Sequence, residues 1–307
     1  MRVKWFSRIY ATIIAVFTVY ILLDTFVISK VYSIAEENFA FTEVCETAMP
    51  GTEELMDSAS GNNFFSDENH YQDEHIAITI SEYRQYESTI YVADVLVSSP
   101  EYLKTAFAQN AYGKNVTQKT SEIARDNEAI LAINGDYYGS QEKGYVLRNG
   151  VLFRESASRN QEDLVIWNDG SFSVITEGEI SPAELLENGA QQILSFGPAL
   201  LLEGTVCVTT EDEVGKAKAS NPRTAIGIVE PLHYLFVVSD GRTEESRGLT
   251  LYELAEFMQS LGTATAYNLD GGGSSTLYFN GQIMNNPTSS GKSIKERKVS
   301  DIVYIGY

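Results

Sequence analysis

Three apolar runs each end in an Asn or Asp followed by glycine. They are Ile130–Ile133 into Asn134-Gly135-Asp136, Tyr234–Ser239 into Asp240-Gly241-Arg242, and Ala264–Leu269 into Asp270-Gly271-Gly272-Gly273-Ser274-Ser275. A carboxylate at the mouth of a strand, with glycine beside it, lets backbone approach a ligand closely. A single Asp-Gly is ordinarily a turn, but three glycines and two serines in succession are more than a turn requires. Successive N–H groups there could form an anion nest, with the Ser274 and Ser275 hydroxyls as further donors, which points to a phosphate or a sugar hydroxyl. Asn221-Pro222-Arg223-Thr224-Ala225 puts an arginine at the entrance to another apolar strand. Its planar fork suits a pair of phosphate oxygens and stays charged at every relevant pH. Asp136, Asp240 and Asp270 are therefore the candidates for chemistry. Asn134, Arg223, Thr224, Arg242, Gly271, Gly272, Gly273, Ser274 and Ser275 are the candidates for binding. Tyr137, Tyr138 and Tyr145 stand at or near loop ends as candidate sugar platforms, with core packing an equal reading for Tyr138.

The elements that must position these residues are mostly strands. Alternation predicts strands over Ile76–Ser81 and Thr89–Ser98. Asn149-Gly150 predicts a hairpin between Tyr145–Arg148 and Val151–Phe153, and Asp169-Gly170 another between Val165–Trp167 and Phe172–Ile175. Ala225–Val229, Thr276–Phe279 and Ser300–Ile305 read as further strands. Helical signals are few: Ser121–Asn127 with Ser121 as N-cap, and Leu249–Leu261 with apolar spacing at Leu251, Leu254, Ala255 and Met258. The expectation is one α+β domain over residues 75–307, mixed and mostly antiparallel, with a few helices.

Composition removes several classes. The 307 residues carry 22 Lys+Arg against 42 Asp+Glu, a net charge of −20, so a polyanion is repelled and nucleic-acid binding is not expected. Cys45 and Cys207 lie far apart and form no zinc spacing; two free thiols are favoured over one bridge. His70, His75 and His233 fit no H-E-x-x-H pattern. No G-x-S-x-G elbow is present, and Ser290-Gly291-Lys292-Ser293 lacks the first glycine of a P-loop, Asn286 standing there. Asn115-Val116-Thr117 is a formal glycosylation sequon.

The charge is unevenly distributed. Residues 9–28 run apolar for about the 20 residues that span a bilayer, behind Arg2, Lys4 and Arg8. The positive-inside rule makes this a single-pass anchor with a cytoplasmic N-terminus and an extracytoplasmic domain, residues 1–30 forming the N-terminus and transmembrane helix. A cleavable signal peptide is the competing reading, and the apolar stretch is longer than its usual core. Residues 31–74 are acidic, without Lys or Arg, and read as a solvated stalk.

Taken in order, several blocks resemble the phosphodiester glycosidase family: Asn134-Gly135-Asp136-Tyr137-Tyr138, Phe196-Gly197-Pro198-Ala199-Leu200, Asn221-Pro222-Arg223-Thr224-Ala225-Ile226-Gly227, Ser239-Asp240-Gly241-Arg242, Asn268 to Thr276, and Arg297-Lys298-Val299-Ser300-Asp301. The likeness covers roughly residues 120–307, and bacterial members are often labelled exopolysaccharide biosynthesis proteins. It implies hydrolysis of a sugar-1-phosphodiester, such as a GlcNAc-1-phosphodiester in an envelope phosphoglycan, into sugar and phosphomonoester. Arg223 and the Gly271–Ser275 loop would hold the phosphate, the three aspartates would supply the chemistry, and Ser300 and Asp301 would complete the pocket. Which aspartate is acid, base or nucleophile stays open, as does a divalent cation such as Ca²⁺ or Mg²⁺. A non-catalytic phosphoglycan-binding protein and a phosphosugar transferase remain alternatives, and the oligomeric state is not legible.

Overall fold

A computed structural model describes residues 2–32, 64–212 and 220–307, with side chains from residue 10 onward. Three sheets enclose the core. The largest has nine strands, in spatial order Thr205–Val206, Ala199–Leu202, Thr265–Leu269, Arg223–Glu230, His233–Ser239, Ser88–Val97, Ile76–Gln85, His70–Gln72 and Phe65–Ser66. A five-stranded sheet runs Gln282–Ile283, Leu277–Phe279, Leu131–Asn134, Asp301–Ile305 and Leu103–Phe107. The third runs Val151–Arg154, Val146–Arg148, Ala190–Leu194, Glu162–Trp167 and Phe172–Thr176. The strands pair antiparallel, as expected for the mixed α+β class.

Alternation explains which face is buried. Ile76, Ile78 and Ile80 point to one side of their strand and meet Leu131, Ile133, Val303 and Ile305 of the second sheet and Leu164, Ile166 and Leu194 of the third in one cluster. On the opposite face of the large sheet, Ile90, Val92, Ala225, Leu235 and Val237 receive a helix, Leu251–Ser260, through Leu251, Leu254, Ala255 and Met258. That helix starts on a capping box: Glu253 N donates to Thr250 Oγ1 at 3.1 Å and Thr250 N to Glu253 Oε2 at 2.8 Å.

Several expectations shift. The helix near residue 121 is Thr120–Asp126, one residue early, with Lys119 as N-cap. Ser121 lies inside it and donates from N and Oγ to Glu296, at 3.0 and 2.6 Å. Residues 64–74 belong to the domain rather than to a stalk, since Phe65–Ser66 and His70–Gln72 extend the large sheet. Residues 33–63 of the expected stalk, with Cys45, lie outside the described residues; Cys207 is exposed.

The N-terminal segment is a helix, Arg2–Phe26, and its large apolar side chains from Tyr10 to Phe26 are exposed, Phe17 and Val16 among them. Among the described residues, no helix is long and apolar enough to cross a membrane. The sequon residue Asn115 is committed to this segment, its Nδ2 donating to Thr25 O at 3.1 Å and Ile28 O at 3.2 Å.

Candidate active site

Asn134 ties the strand ends together. It is fully buried, and its Nδ2 donates to Asp270 O at 2.6 Å. Its Oδ1 accepts from Thr224 Oγ1 at 2.9 Å and from Thr276 N at 3.3 Å. One amide thus joins the ends of Leu131–Asn134, Arg223–Glu230 and Leu277–Phe279 beneath Asp270, a task that needs a side chain both donating and accepting.

Above this crosspiece, Asp270 accepts from Ser274 Oγ at 2.5 Å and from Arg297 Nη2 at 3.1 Å. Arg297 also donates through Nε to Ser274 Oγ at 3.0 Å, and its side chain is 44% exposed. Burial raises the Asp270 carboxyl above its ordinary value, while Arg297 and Ser274 oppose the rise. Arg242 approaches from the other side of the loop, donating from Nε and Nη2 to Asn221 Oδ1 at 3.2 and 3.0 Å and from Nη1 to Ser289 O at 2.7 Å. Burial, then Arg297, pulls Arg242 below its usual value, so the two cations act on one another. A Cβ on Gly272 would lie 2.8 Å from Arg242 Nη2, and Gly272 has φ +63, so glycine serves both the turn and the approach of the guanidinium.

The glycine loop is not the open anion nest expected. Gly272 N donates to Pro222 O at 2.7 Å, Ser274 N to Gly271 O and Ser275 N to Gly272 O, both at 3.3 Å. Gly271 packs on Pro222 and Arg223, and Gly273 on Ser289, where a Cβ would come within 2.2 Å of Oγ. Close packing explains these glycines better than ligand contact does. Arg223 is buried beside the loop, with Nε on Leu249 O at 2.9 Å and its N–H on Ser239 Oγ at 3.0 Å. The exposed cations at this loop are Arg297, on Asp270, and Arg242, against Gly272 and Ser289 O, instead. Arg297 opens the Arg297–Asp301 block of the resemblance, but no local pattern marks it singly as a site residue.

The other two aspartates sit elsewhere. Asp240 is buried and accepts from Asn285 Nδ2 at 3.1 Å, Asn286 N at 2.8 Å and Asn286 Nδ2 at 3.0 Å, which pins the 285–286 loop. Asp136 is sealed in a network with Arg148 and Asp301, all three buried. Arg148 Nη2 donates to Asp136 Oδ2 at 2.8 Å and to Asp301 Oδ2 at 2.9 Å, and Asp301 Oδ1 accepts from Asp136 N at 3.2 Å. Ser195 N and Tyr138 N complete the Asp136 shell at 2.7 and 3.1 Å. Neither Asp136 nor Asp301 faces solvent, and both hydrogen-bond into the loop that follows Asn134. Ser300 is likewise buried, against Gly139. No motif marks Arg148; its one signal in the sequence is a cation at the end of an apolar strand.

The two clusters are joined through Gly135, whose N–H donates to Asp301 O at 2.9 Å and whose carbonyl accepts from Asp270 N at 3.3 Å. A Cβ on Gly135 would fall 2.3 Å from Asp301 Oδ1, an atom held by the Arg148 network. Gly135→Ala is expected to destabilise the fold by about 1–3 kcal/mol as an overpacked site, read as a lowered melting temperature. An unchanged melting temperature would mean that Asp301 is free to move.

Of the candidate platforms, Tyr138 is core: it stacks on Tyr112 at 5.4 Å and lies 5.8 Å below the Arg148 guanidinium. Tyr145 is buried and donates to Ile180 O at 3.2 Å, whereas Tyr137 is exposed with φ +74. Among the described residues, no three His, Cys, Asp or Glu side chains converge in a way that could hold a metal ion.

A model of the phosphodiester glycosidase family matches residues 127–306. N-acetylglucosamine-1-phosphodiester alpha-N-acetylglucosaminidase of Mus musculus is 32% identical over 175 residues, covering 52% of this chain and 33% of its own length. The Homo sapiens enzyme of that name is 30% identical, over 54% of this chain and 35% of its own. An uncharacterized SPbeta prophage-derived protein of Bacillus subtilis, YomE, is 27% identical over 64% of this chain and 31% of its own. The chain therefore spans about a third of the length of the curated relatives it matches. The catalytic domain of the zebrafish N-acetylglucosaminidase has the same fold, with TM-score 0.60 and 22% identity over 76% of this chain and 83% of that one. With more than half of its 307 residues matched by the family model and the fold shared, the chain belongs to the phosphodiester glycosidase family.

Proposed function

We propose that this chain hydrolyses a sugar-1-phosphodiester with a GlcNAc-1-phosphodiester-like linkage, breaking the bond between the anomeric carbon and the phosphate oxygen. Water supplies the new C1 hydroxyl, and the leaving group departs as a phosphomonoester. The observation that carries this reading is one partly buried carboxylate, Asp270, paired with the half-exposed Arg297 at the converging strand ends, with a second exposed guanidinium, Arg242, on the same glycine loop. Negative charge grows on the phosphate oxygens as the bond breaks, and preorganised guanidinium groups stabilise it. Positive charge grows at the anomeric carbon, and an ionised carboxylate beside it stabilises that charge or takes the proton of the attacking water.

The setting we infer is the outer face of a cell membrane. The apolar stretch over residues 9–28, the basic residues before it and the exposed apolar side chains of the helix support an uncleaved anchor with a cytoplasmic N-terminus. Envelope or exopolysaccharide phosphoglycans are then the substrates within reach. Protease added outside intact cells should remove the domain; full protection would reverse the orientation.

The full chain in detergent, incubated with a GlcNAc-1-phosphodiester, should release free sugar and phosphomonoester, identified by mass. Arg297→Ala should raise KM about tenfold or more, since a charged hydrogen bond to phosphate contributes roughly 1.5–3 kcal/mol. Bound but unaltered substrate would favour a binding protein, and sugar appearing on an added alcohol would favour a transferase.

A further inference from the structure

The N-terminal helix does not simply end in a loose linker. Lys30–Val31 adds to the domain as a short antiparallel strand on Gly113–Lys114, and Tyr32 N donates to Tyr112 O at 2.9 Å. Ser29 Oγ donates to Asn115 O at 2.9 Å, and Asn115 caps carbonyls at the helix end. At this junction lies a cavity of about 350 Å³ lined by Lys30, Tyr32, Tyr112, Lys114, Glu142 and Arg154, with other residues.

Two features of this cavity point to an anion. First, Lys30 and Lys114 are direct cross-strand partners, and like charges placed opposite one another are unfavourable. In a chain of net charge −20, this one small cavity gathers three cations, Lys30, Lys114 and Arg154, against Glu142 in its lining and Asp24 beside it. Second, the counter-ions present are easily exchanged. Lys114 pairs with Glu142 at 2.7 Å, yet the Glu142 side chain is 79% exposed, and such pairs contribute little. Lys30 pairs with Asp24 at 2.7 Å, both partly exposed. Arg154 is already fixed, donating to the carbonyls of Gly144, Gln141 and Tyr138 at 2.6, 2.8 and 3.2 Å, so it supplies charge to the wall without rearranging. The Tyr112 hydroxyl keeps its proton, being raised by burial, and remains available as a donor.

We propose that this cavity binds a phosphate headgroup at the membrane surface, between Lys30 and Lys114, and so fixes the domain relative to the bilayer. The placement at the membrane rests on the anchor reading above, whereas the anion site does not. The same chemistry could come from a phospholipid or from a soluble phosphate ester. The full chain, purified in nonionic detergent, would be titrated with phosphatidylglycerol in mixed micelles and, separately, with glycerol 1-phosphate. Retained lipid would be counted by native mass spectrometry and soluble ligand followed by calorimetry. One lipid held by the wild type, displaced by glycerol 1-phosphate and bound at least tenfold more weakly by Lys114→Glu and Lys30→Gln, supports the proposal. Glycerol 1-phosphate bound with the same sensitivity, but no lipid retained, keeps the site and moves its source to soluble esters. Equal binding by wild type and both variants, or none of either ligand, overturns it. Both variants should keep the wild-type hydrolytic rate, which separates the cavity from the Asp270 cluster. Release of the chain from membranes by alkaline carbonate would refute the anchor while leaving the glycerol 1-phosphate result to decide the site.

Discussion

Asp270→Asn is expected to lower kcat on a sugar-1-phosphodiester by about 10²–10⁴-fold, the range for losing a positioned acid–base group. The substitution is close to isosteric, and Ser274 Oγ can still donate to the remaining carbonyl oxygen, as it now does to Oδ2 at 2.5 Å. Asn134 holds the Asp270 backbone carbonyl, not its side chain, so the strand ends stay joined. The melting temperature should therefore change little, and KM less than kcat, because Arg297 and Arg242 still present their charges. The pH profile gives a second readout. An ionised Asp270 is the working form, so the rate falls as pH drops through its pKa. Burial raises that value above the ordinary 3.8, which moves the acid limb upward. The limb should vanish in Asp270→Asn. A variant with wild-type kcat would remove Asp270 from the chemistry.

Much of the frame was legible because it is written locally. The Asn149-Gly150 and Asp169-Gly170 hairpins, the helix at residues 251–260 and the strands ending at Asn134, Ser239 and Leu269 follow from turn residues and periodicity. Strand Ala190–Leu194 carried no such signal, because Gln191 and Gln192 break its alternation. Gln192 is buried only because Thr105 Oγ1 donates to its Oε1 at 2.8 Å and its Nε2 donates to Asn149 Oδ1 at 2.7 Å. Roles at the site depended on still longer contacts. Asp136 and Asp270 have the same local signature, yet one lies beneath Arg148 and the other faces Arg297, and the partners stand 12 and 27 residues away. Sequence spacing identifies carboxylates at strand mouths; only the packing of three sheets decides which mouth is open. The network around Arg148, which no motif announced, carries the largest stability effect expected of any single side chain here.

Arg148→Met should cost about 3–5 kcal/mol at neutral pH, the usual penalty for removing one member of a buried charge network. Asp136 and Asp301 would be left facing each other without a cation, in a site where all three groups are buried. Burial, and then Asp136, already push the Asp301 carboxyl up to about 7, with Arg148 opposing. Beneath it, burial and then Glu177 push Asp163 up to about 9. A carboxyl that binds its proton more tightly when folded than when unfolded favours the folded state most at low pH, and this stability is lost as pH rises through the folded value. The wild type should thus lose stability between about pH 4 and pH 7 through Asp301, and onward to about pH 9 through Asp163. Without Arg148, Asp301 loses the cation that opposes its rise and holds its proton more tightly, so the variant's deficit should grow with pH and shrink near pH 5. Arg148→Lys should fall between the two, since it keeps the charge that Nη2 presents to both carboxylates but loses the Nε bond to Asp301 and the Nη1 bonds to the Leu147 and Ile193 carbonyls. Urea unfolding of the three proteins from pH 5 to pH 8 measures this directly. A deficit that stays constant across that range would mean that Arg148 contributes packing rather than charge. In that case the loop carrying Gly135 and Asp136 would be held by the Gly135 backbone bonds to Asp301 and Asp270 and by the Asp136 bonds to Ser195, Tyr138 and Asp301.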